Sequence, residues 1–306
     1  MAVTAKRRQA RVDDPITPVT PVPRLGIDQP AGWWPAAPRL KSYEAAGFAH
    51  LQMWTAPGAV LADEALVSAH AGALAERLGL TGLRLILHAP VDLIAGTAEH
   101  DAQLDGALRY AAVAGAELIV LHGAGLPQAG IGQRERLAAE RRSLRGRLGR
   151  AARLGVKLAF ENLAPAYPGC ECLADDVAVV AELVDALDSE QVGICLDLGH
   201  AHIAADRAGL PLTELIAPML DRVLVFHLHD NFGARPQPGW AEPERIDLHL
   251  PPGAGSLPWA EIAPIVARHA APLVLEVHPS ARPEPGTLAV MTRELLGIAA
   301  PAAAVG

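Results

Sequence analysis

Residues 223–231 read VLVFHLHDN, an apolar run whose far end carries His227, His229 and Asp230. A continuous apolar run of this length suits a strand covered on both faces. Polar groups at its end then need a reason to be there. The same construction recurs along the chain. LILHAP (85–90) carries His88, IVLHGAG (119–125) carries His122 and LAFENL (158–163) carries Glu161. VGICLDLGH (192–200) carries Asp197 and His200, and LVLEVH (273–278) carries Glu276 and His278. IDLHL (246–250), with Asp247 and His249, reads as the loop after the seventh strand. Carboxylates and imidazoles ligate divalent metals such as zinc, manganese, iron or magnesium. One at nearly every strand end converges on a single point, which predicts a metalloenzyme on a closed parallel barrel.

Outward from these runs, strand and helix alternate from Pro23 onward. RLGIDQP and HLQMW supply the first two strands, and amphipathic segments such as ADEALVSAHAGALAERLGL and ADDVAVVAELVDAL separate the others. After the sixth strand the helix is expected around LTELIAPML. Gly precedes several strands, as helix ends favour a residue free to take positive φ. Eight units of about 30 residues match a single-domain (β/α)8 TIM barrel, whose active sites lie at the C-terminal strand ends. An open doubly wound sheet is the rival, but it does not usually place functional groups on seven strand ends. Strand alternation puts Ile86 with His88, Cys195 with Asp197, and Val225 with His227 and His229 on one face. Leu87, Leu196 and Phe226 then face helices.

The chain has 306 residues, 51% of them hydrophobic, and a net charge of −8. That suits one large core-forming domain, and the acidic balance argues against a nucleic-acid partner. The arginine-rich run from Arg141 to Gly155 reads as the solvated face of a helix. Three cysteines make no disulfide framework and fit a reducing cytoplasm. Cys170 and Cys172 read as loop packing, and Cys195 as core. Residues 1–22 read as a flexible basic and proline-rich tail ahead of a catalytic domain over 23–306. They lack the apolar run of a secretory signal, and no stretch suggests a membrane span.

A carboxylate inside an apolar strand costs several kcal/mol if unpaired. Glu161, Asp197, Asp247 and Glu276 have no matching Lys or Arg at the strand ends, so metal coordination is the better remedy than a salt bridge. His50, His70, His100 and His269 read as surface residues on or near helices. Trp33, Trp34 and Trp54 follow the first two strands and wall either a substrate pocket or the core.

The joint pattern of ENL at Glu161, DLGH at Asp197–His200, HLHDN at His227, D-x-H-x-P-x-G-x-G at Asp247 and LEV at Glu276 resembles the xylose isomerase-like barrel superfamily. That superfamily joins sugar isomerases and epimerases to the endonuclease IV type of apurinic-site nuclease. The resemblance covers about Pro23 to Ala300. It implies a four-ligand metal site at Glu161, Asp197, His227 and Glu276, with His200 contacting substrate or a second metal. It also matches His88, His122, Asp247 and His249 to the extra positions of the trinuclear nuclease branch. His229, Trp54 and His278 are expected to contact substrate.

Two chemistries follow from the resemblance. The leading one is a metal-dependent isomerase or epimerase of a sugar, sugar phosphate or polyol, with Glu161 and Glu276 exchanging a proton and His200 orienting a substrate oxygen. The alternative is multinuclear hydrolysis of a phosphate ester. Either would use one to three ions of Mn, Zn, Mg, Co or Fe. The expected partner is a small sugar-like molecule, and a homo-oligomer is compatible with the sequence.

Overall fold

The computed structural model describes residues 24–123, 131–164, 173–235 and 246–299. The expected tail at 1–22 and the Cys170–Cys172 segment lie outside the described residues.

Eight strands form the centre: β1 (Leu25–Asp28), β2 (His50–Trp54), β3 (Arg84–His88), β4 (Leu118–Leu121), β5 (Lys157–Glu161), β6 (Val192–Asp197), β7 (Val223–Leu228) and β8 (Leu273–Leu275). Each pairs in parallel with the next. The ring closes between β1 and β8 with Leu25 opposite Leu273 and Ile27 opposite Leu275. This is the expected (β/α)8 TIM barrel.

Helices α1 (Ala37–Ala45), α2 (Gly58–Leu61), α3 (Glu64–Leu78), α4 (Ala98–Ala114), α5 (Gln133–Leu154), α6 (Val177–Leu187), α7 (Leu198–Ala208), α8 (Leu212–Ile216), α9 (Trp259–Arg268) and α10 (Pro285–Leu296) lie between and after the strands. Their starts are set by side chains that satisfy free N–H groups. Asp63 accepts from Ala65 and Leu66 ahead of α3, and Asp176 accepts from Ala178 ahead of α6. α4 and α5 stop at Gly115 and Gly155, at φ 77° and 69°, where a side chain would be strained.

The alternation of each strand divides the core in two. Leu85, Leu87, Ile119, Leu158, Phe160, Ile194, Leu196, Phe226, Leu273 and Leu275 belong to the layer between strands and helices. Ile86, Leu118, Val120, Ala159, Cys195, Val225 and Val274 form a separate cluster inside the barrel. The inward cluster is the floor beneath the strand ends.

Two expectations are corrected. The main helix after β6 is α7, which starts directly at Leu198, and LTELIAPML forms only the short α8 and a following 3-10 turn. The Asp197 side chain accepts from the His200 N–H at 2.7 Å and so starts α7 at once. His50 is not a surface residue. It opens β2 and is buried, because even numbers on that strand point into the barrel. The arginine run sits on α5, with Arg141, Arg142 and Arg145 exposed as expected. Among the described residues no helix is long and apolar enough to cross a membrane.

Candidate active site

The inward floor positions the chemistry. Moving two residues along each strand from Ile86, Val120, Ala159, Cys195, Val225 and Val274 reaches His88, His122, Glu161, Asp197, His227 and Glu276. All six therefore stand on the next level up, at the C-terminal end of the barrel. His229 lies one level higher than His227. The loop after β7 brings in Asp247 and His249, held by an antiparallel bridge between Asp230 and Leu250.

Four candidate ligand groups result, with the donor atoms in each lying within 4.8 Å of one another; one of them, Glu161–Cys195–His227, overlaps the central site through a thiol that the sequence reads as core. Glu161, Asp197, His227 and Glu276 form the central group. His88, His122 and Glu161 form the second, and His200, His229, Asp247 and His249 the third. Glu161 is shared, and its two oxygens face different ways. Oε1 lies 3.4 Å from His227 and 3.5 Å from His200, whereas Oε2 lies 3.2 Å from His88 and 3.8 Å from His122.

The donor set fits a divalent ion in two respects. Several histidines have one ring nitrogen anchored to a protein acceptor and the other turned to carboxylates, the arrangement that fixes a metal-ligating tautomer. His227 Nε2 donates to Gln52 Oε1 at 2.9 Å, leaving Nδ1 3.2 Å from Glu276. His88 Nδ1 donates to the Ala89 carbonyl at 2.7 Å, leaving Nε2 toward Glu161. His249 Nδ1 donates to the Glu276 carbonyl at 2.8 Å, leaving Nε2 3.2 Å from Asp247. His200 Nδ1 donates to the Asn162 carbonyl at 3.0 Å, with Nε2 3.5 Å from Asp247. Second, Asp197 Oδ2, His227 Nδ1 and both ring nitrogens of His229 are buried and make no hydrogen bond. His229 Nε2 comes within 3.0 Å of Asp197 Oδ1 without hydrogen-bond alignment. Buried polar atoms that converge without pairing are costly unless a further group engages them.

The electrostatics divide the two glutamates. Burial alone would raise the Glu161 carboxyl, but His227, His88 and His122 outweigh it and hold it well below the usual range. Burial raises Glu276 well above that range, and Asp28, Glu161 and Asp197 push the same way. Burial also works against a charged His200, yet Asp197 and Asp247 hold its pKa well above the ordinary value. Burial drives His122 down to about 4. Glu161, Asp197 and Glu276 pair with histidines only, among the described residues, as the lack of strand-end cations predicts.

The other expected substrate contacts divide. Trp54 is half-buried beside the site, its ring centroid 4.4 Å from that of His88. His278 is half-buried in the loop after β8, with Nδ1 2.7 Å from Ser280 Oγ. His229, expected at the substrate, is fully buried and joins the third ligand group.

Four residues carry weight that sequence reasoning did not assign. Gln52 bridges His227 and Glu276, donating to Glu276 Oε1 at 2.6 Å. The polar residue in the middle of HLQMW was the available signal. Asn162 brackets Asp197, donating to its carbonyl and accepting from its N–H, both at 2.9 Å. Asp28 ends β1, half-buried and 3.4 Å from Gln52 Nε2, and desolvation raises its pKa. Arg282 donates to the Asp28 carbonyl at 2.8 Å from the loop after β8.

Residues 40–294 match the family model described as xylose isomerase-like TIM barrel. The chain belongs to that family. Among solved structures, a D-tagatose 3-epimerase-like protein superposes with a TM-score of 0.68 at 18% identity, over 90% of this chain and 97% of its own. The 3-keto-D-glucoside 4-epimerase YcjR from E. coli gives a TM-score of 0.65 at 17% identity, over 89% and 98%. The IOLI protein, solved with a bound zinc atom, gives 0.65 at 16% identity, over 90% and 98%. These likenesses are likenesses of fold. No curated protein matches the chain in sequence.

Proposed function

We propose that the chain is a divalent-metal-dependent isomerase or epimerase of a sugar, sugar phosphate or related polyol. One observation carries the reading: Glu161, Asp197, His227 and Glu276 bring their donor atoms within 4.8 Å of one another at the barrel mouth. Glu161, Asp197, His227 and Glu276 would hold manganese, zinc, magnesium, cobalt or iron, which supplies polarisation of a carbonyl and an adjacent hydroxyl. Glu161 and Glu276 enter from strands three steps apart around the ring, so they reach a bound substrate from different sides. One removes the proton beside the carbonyl and keeps it, and the other delivers its own proton to the enediolate. The opposite pKa shifts of the two glutamates suit unlike roles. His200 orients a substrate oxygen. The structural likeness to sugar epimerases supports the same direction.

The test is incubation with a panel of ketoses and aldoses in heavy water. Solvent deuterium should appear on the carbon beside the carbonyl, with an isomeric product. No uptake and no isomer across the panel would overturn the proposal.

A second reading has its own observation. The groups His88–His122–Glu161 and His200–His229–Asp247–His249 flank the central one and would accommodate up to three ions. That arrangement suits metal-assisted hydrolysis of a phosphate ester. Metal-dependent phosphate release, or cleavage at an abasic site, with three ions per chain by elemental analysis would select it.

A further inference from the structure

The group that contains Cys195 differs from the other three in its chemistry. It joins a thiol to Glu161 and His227, with one donor atom from each lying within 4.8 Å of the others. Cys195 is a free cysteine, 0% exposed, among the apolar residues of the barrel floor. The strand register gives it polar neighbours. β5 and β6 pair with Glu161 opposite Cys195, whereas β6 and β7 pair with Asp197 opposite His227. Strands in a closed barrel are staggered in this way. A floor residue of β6 therefore stands beside a strand-end carboxylate of β5.

A second observation points to a ligand here. His227 is also 0% exposed, and its Nε2 is taken by Gln52. Its Nδ1 has no hydrogen-bond partner and turns to Glu161 Oε1 at 3.4 Å. The central group and the thiol group both draw on Glu161 and His227. To these the central group adds the carboxylates of Asp197 and Glu276, hard oxygen donors that suit manganese or magnesium. The other adds sulfur, which favours softer ions. One glutamate and one histidine cannot serve two ions in both arrangements at once.

We propose that Cys195, His227 and Glu161 form a sulfur-containing site for thiophilic divalent ions, and that its occupation excludes an ion held by Glu161, Asp197, His227 and Glu276. A metal–sulfur bond forms, the thiol proton passes to solvent, and no electrons are transferred. A soft ion thereby blocks the centre, whichever reaction the centre performs.

The chain has three cysteines, so the experiment uses the full chain with Cys170→Ser and Cys172→Ser, which leaves Cys195 as its one thiol. This metal-free protein is titrated with cadmium chloride and followed by sulfur-to-cadmium charge-transfer absorption in the ultraviolet. A saturable band should appear, and manganese alone should give none. Saturating manganese should raise the cadmium concentration for half the band by about tenfold or more. Cys195→Ala, and Cys195→Ser, which keeps the shape of the side chain, should abolish the band. Both should keep manganese affinity within about threefold of the parent, against the 10–100-fold that loss of a supporting group typically costs. Glu276→Gln should do the reverse, weakening manganese by about tenfold or more and keeping the band. No band in the single-thiol chain, a band that survives Cys195→Ala, a band that manganese does not displace, or a band lost in Glu276→Gln would each overturn the site.

Discussion

Replacing Gln52 with leucine tests how the barrel interior prepares the ligands. Gln52 is fully buried, and besides a longer bond to Asp28 its amide makes two bonds of opposite sense to proposed ligands. The carbonyl oxygen accepts from His227 Nε2 at 2.9 Å, and the amide nitrogen donates to Glu276 Oε1 at 2.6 Å. Gln52→Leu keeps most of the volume and removes both. It leaves an imidazole N–H and a carboxylate oxygen in the barrel without their partner, at about 1–3 kcal/mol each. The added apolar contact returns about 1 kcal/mol. The metal-free chain should therefore lose about 1–5 kcal/mol of stability in urea unfolding. The greater consequence is for ligation. His227 is no longer fixed in the tautomer that points Nδ1 at Glu161 and Glu276, and losses of such supporting bonds typically cost about 10–100-fold in metal affinity.

The assay is competition for manganese or zinc against a fluorescent chelator, with circular dichroism confirming the fold. Gln29→Leu is the matched control. Gln29 is also buried, but it bonds the Tyr43 hydroxyl at 3.1 Å and touches no proposed ligand. It should lower stability and leave metal affinity alone. A folded Gln52→Leu chain whose metal Kd stays within about threefold of the parent, against the expected 10–100-fold, would refute the reasoning.

Three other perturbations have definite outcomes. Gly199→Ala would place a Cβ 2.0 Å from the His229 ring, so the third ligand group should be displaced and the number of ions bound per chain should fall. Elemental analysis of the folded variant at full parental stoichiometry would contradict this. His50 has its pKa lowered to about 4, chiefly by burial and then by Arg84, so the unfolded chain binds the extra proton between about pH 6.5 and 4. The parent should lose about 3 kcal/mol of stability relative to His50→Leu as pH falls through that window, and parallel stability curves would disprove it. Asp230 accepts from the N–H groups of Asn231, Gly253 and Leu257 and from Trp259 Nε1, clamping the loop that carries Asp247 and His249. Asp230→Ala should therefore speed proteolysis within 246–257 and weaken metal binding, and a cleavage rate equal to the parent's would count against the clamp.

The barrel and the upper level of the site were legible because one rule governs both. Period-two alternation with both faces apolar identifies the strands, and counting two residues beyond Ala159, Cys195, Val225 or Val274 reaches a candidate ligand. Gln52 and Asn162 escaped because the rule says where a side chain points and not what it touches. A glutamine inside the barrel is readable as polar, but only the register of β2 with β3 and the position of β7 across the ring bring it to His227. His50 was misplaced for a related reason: HLQMW reads as a strand, but only the register of β2 in the closed ring puts its first residue inside the barrel. The start of α7 was hidden by Asp197 serving both as a strand-end carboxylate and as the helix cap.

That double use extends to Glu161, and it bears on which chemistry the site performs. Oε1 faces the central group, and Oε2 faces His88 and His122. As a general base in isomerisation, Glu161 needs one oxygen free to take a proton while the other stays with the central ligands. If His88 and His122 claim Oε2 through a second ion, that oxygen is committed and Glu161 becomes a bridge. Proton abstraction would then fall to Glu276 alone, which burial and neighbouring carboxylates already keep poor at releasing its own proton. The two readings therefore compete for one oxygen atom. His122→Ala separates them because it removes a ligand of the second group and, although His122 faces Glu161 Oε2 at 3.8 Å, leaves all four central ligands in place. An isomerase should retain its turnover in that variant, whereas a hydrolase working through clustered ions should lose activity by about 10–100-fold or more.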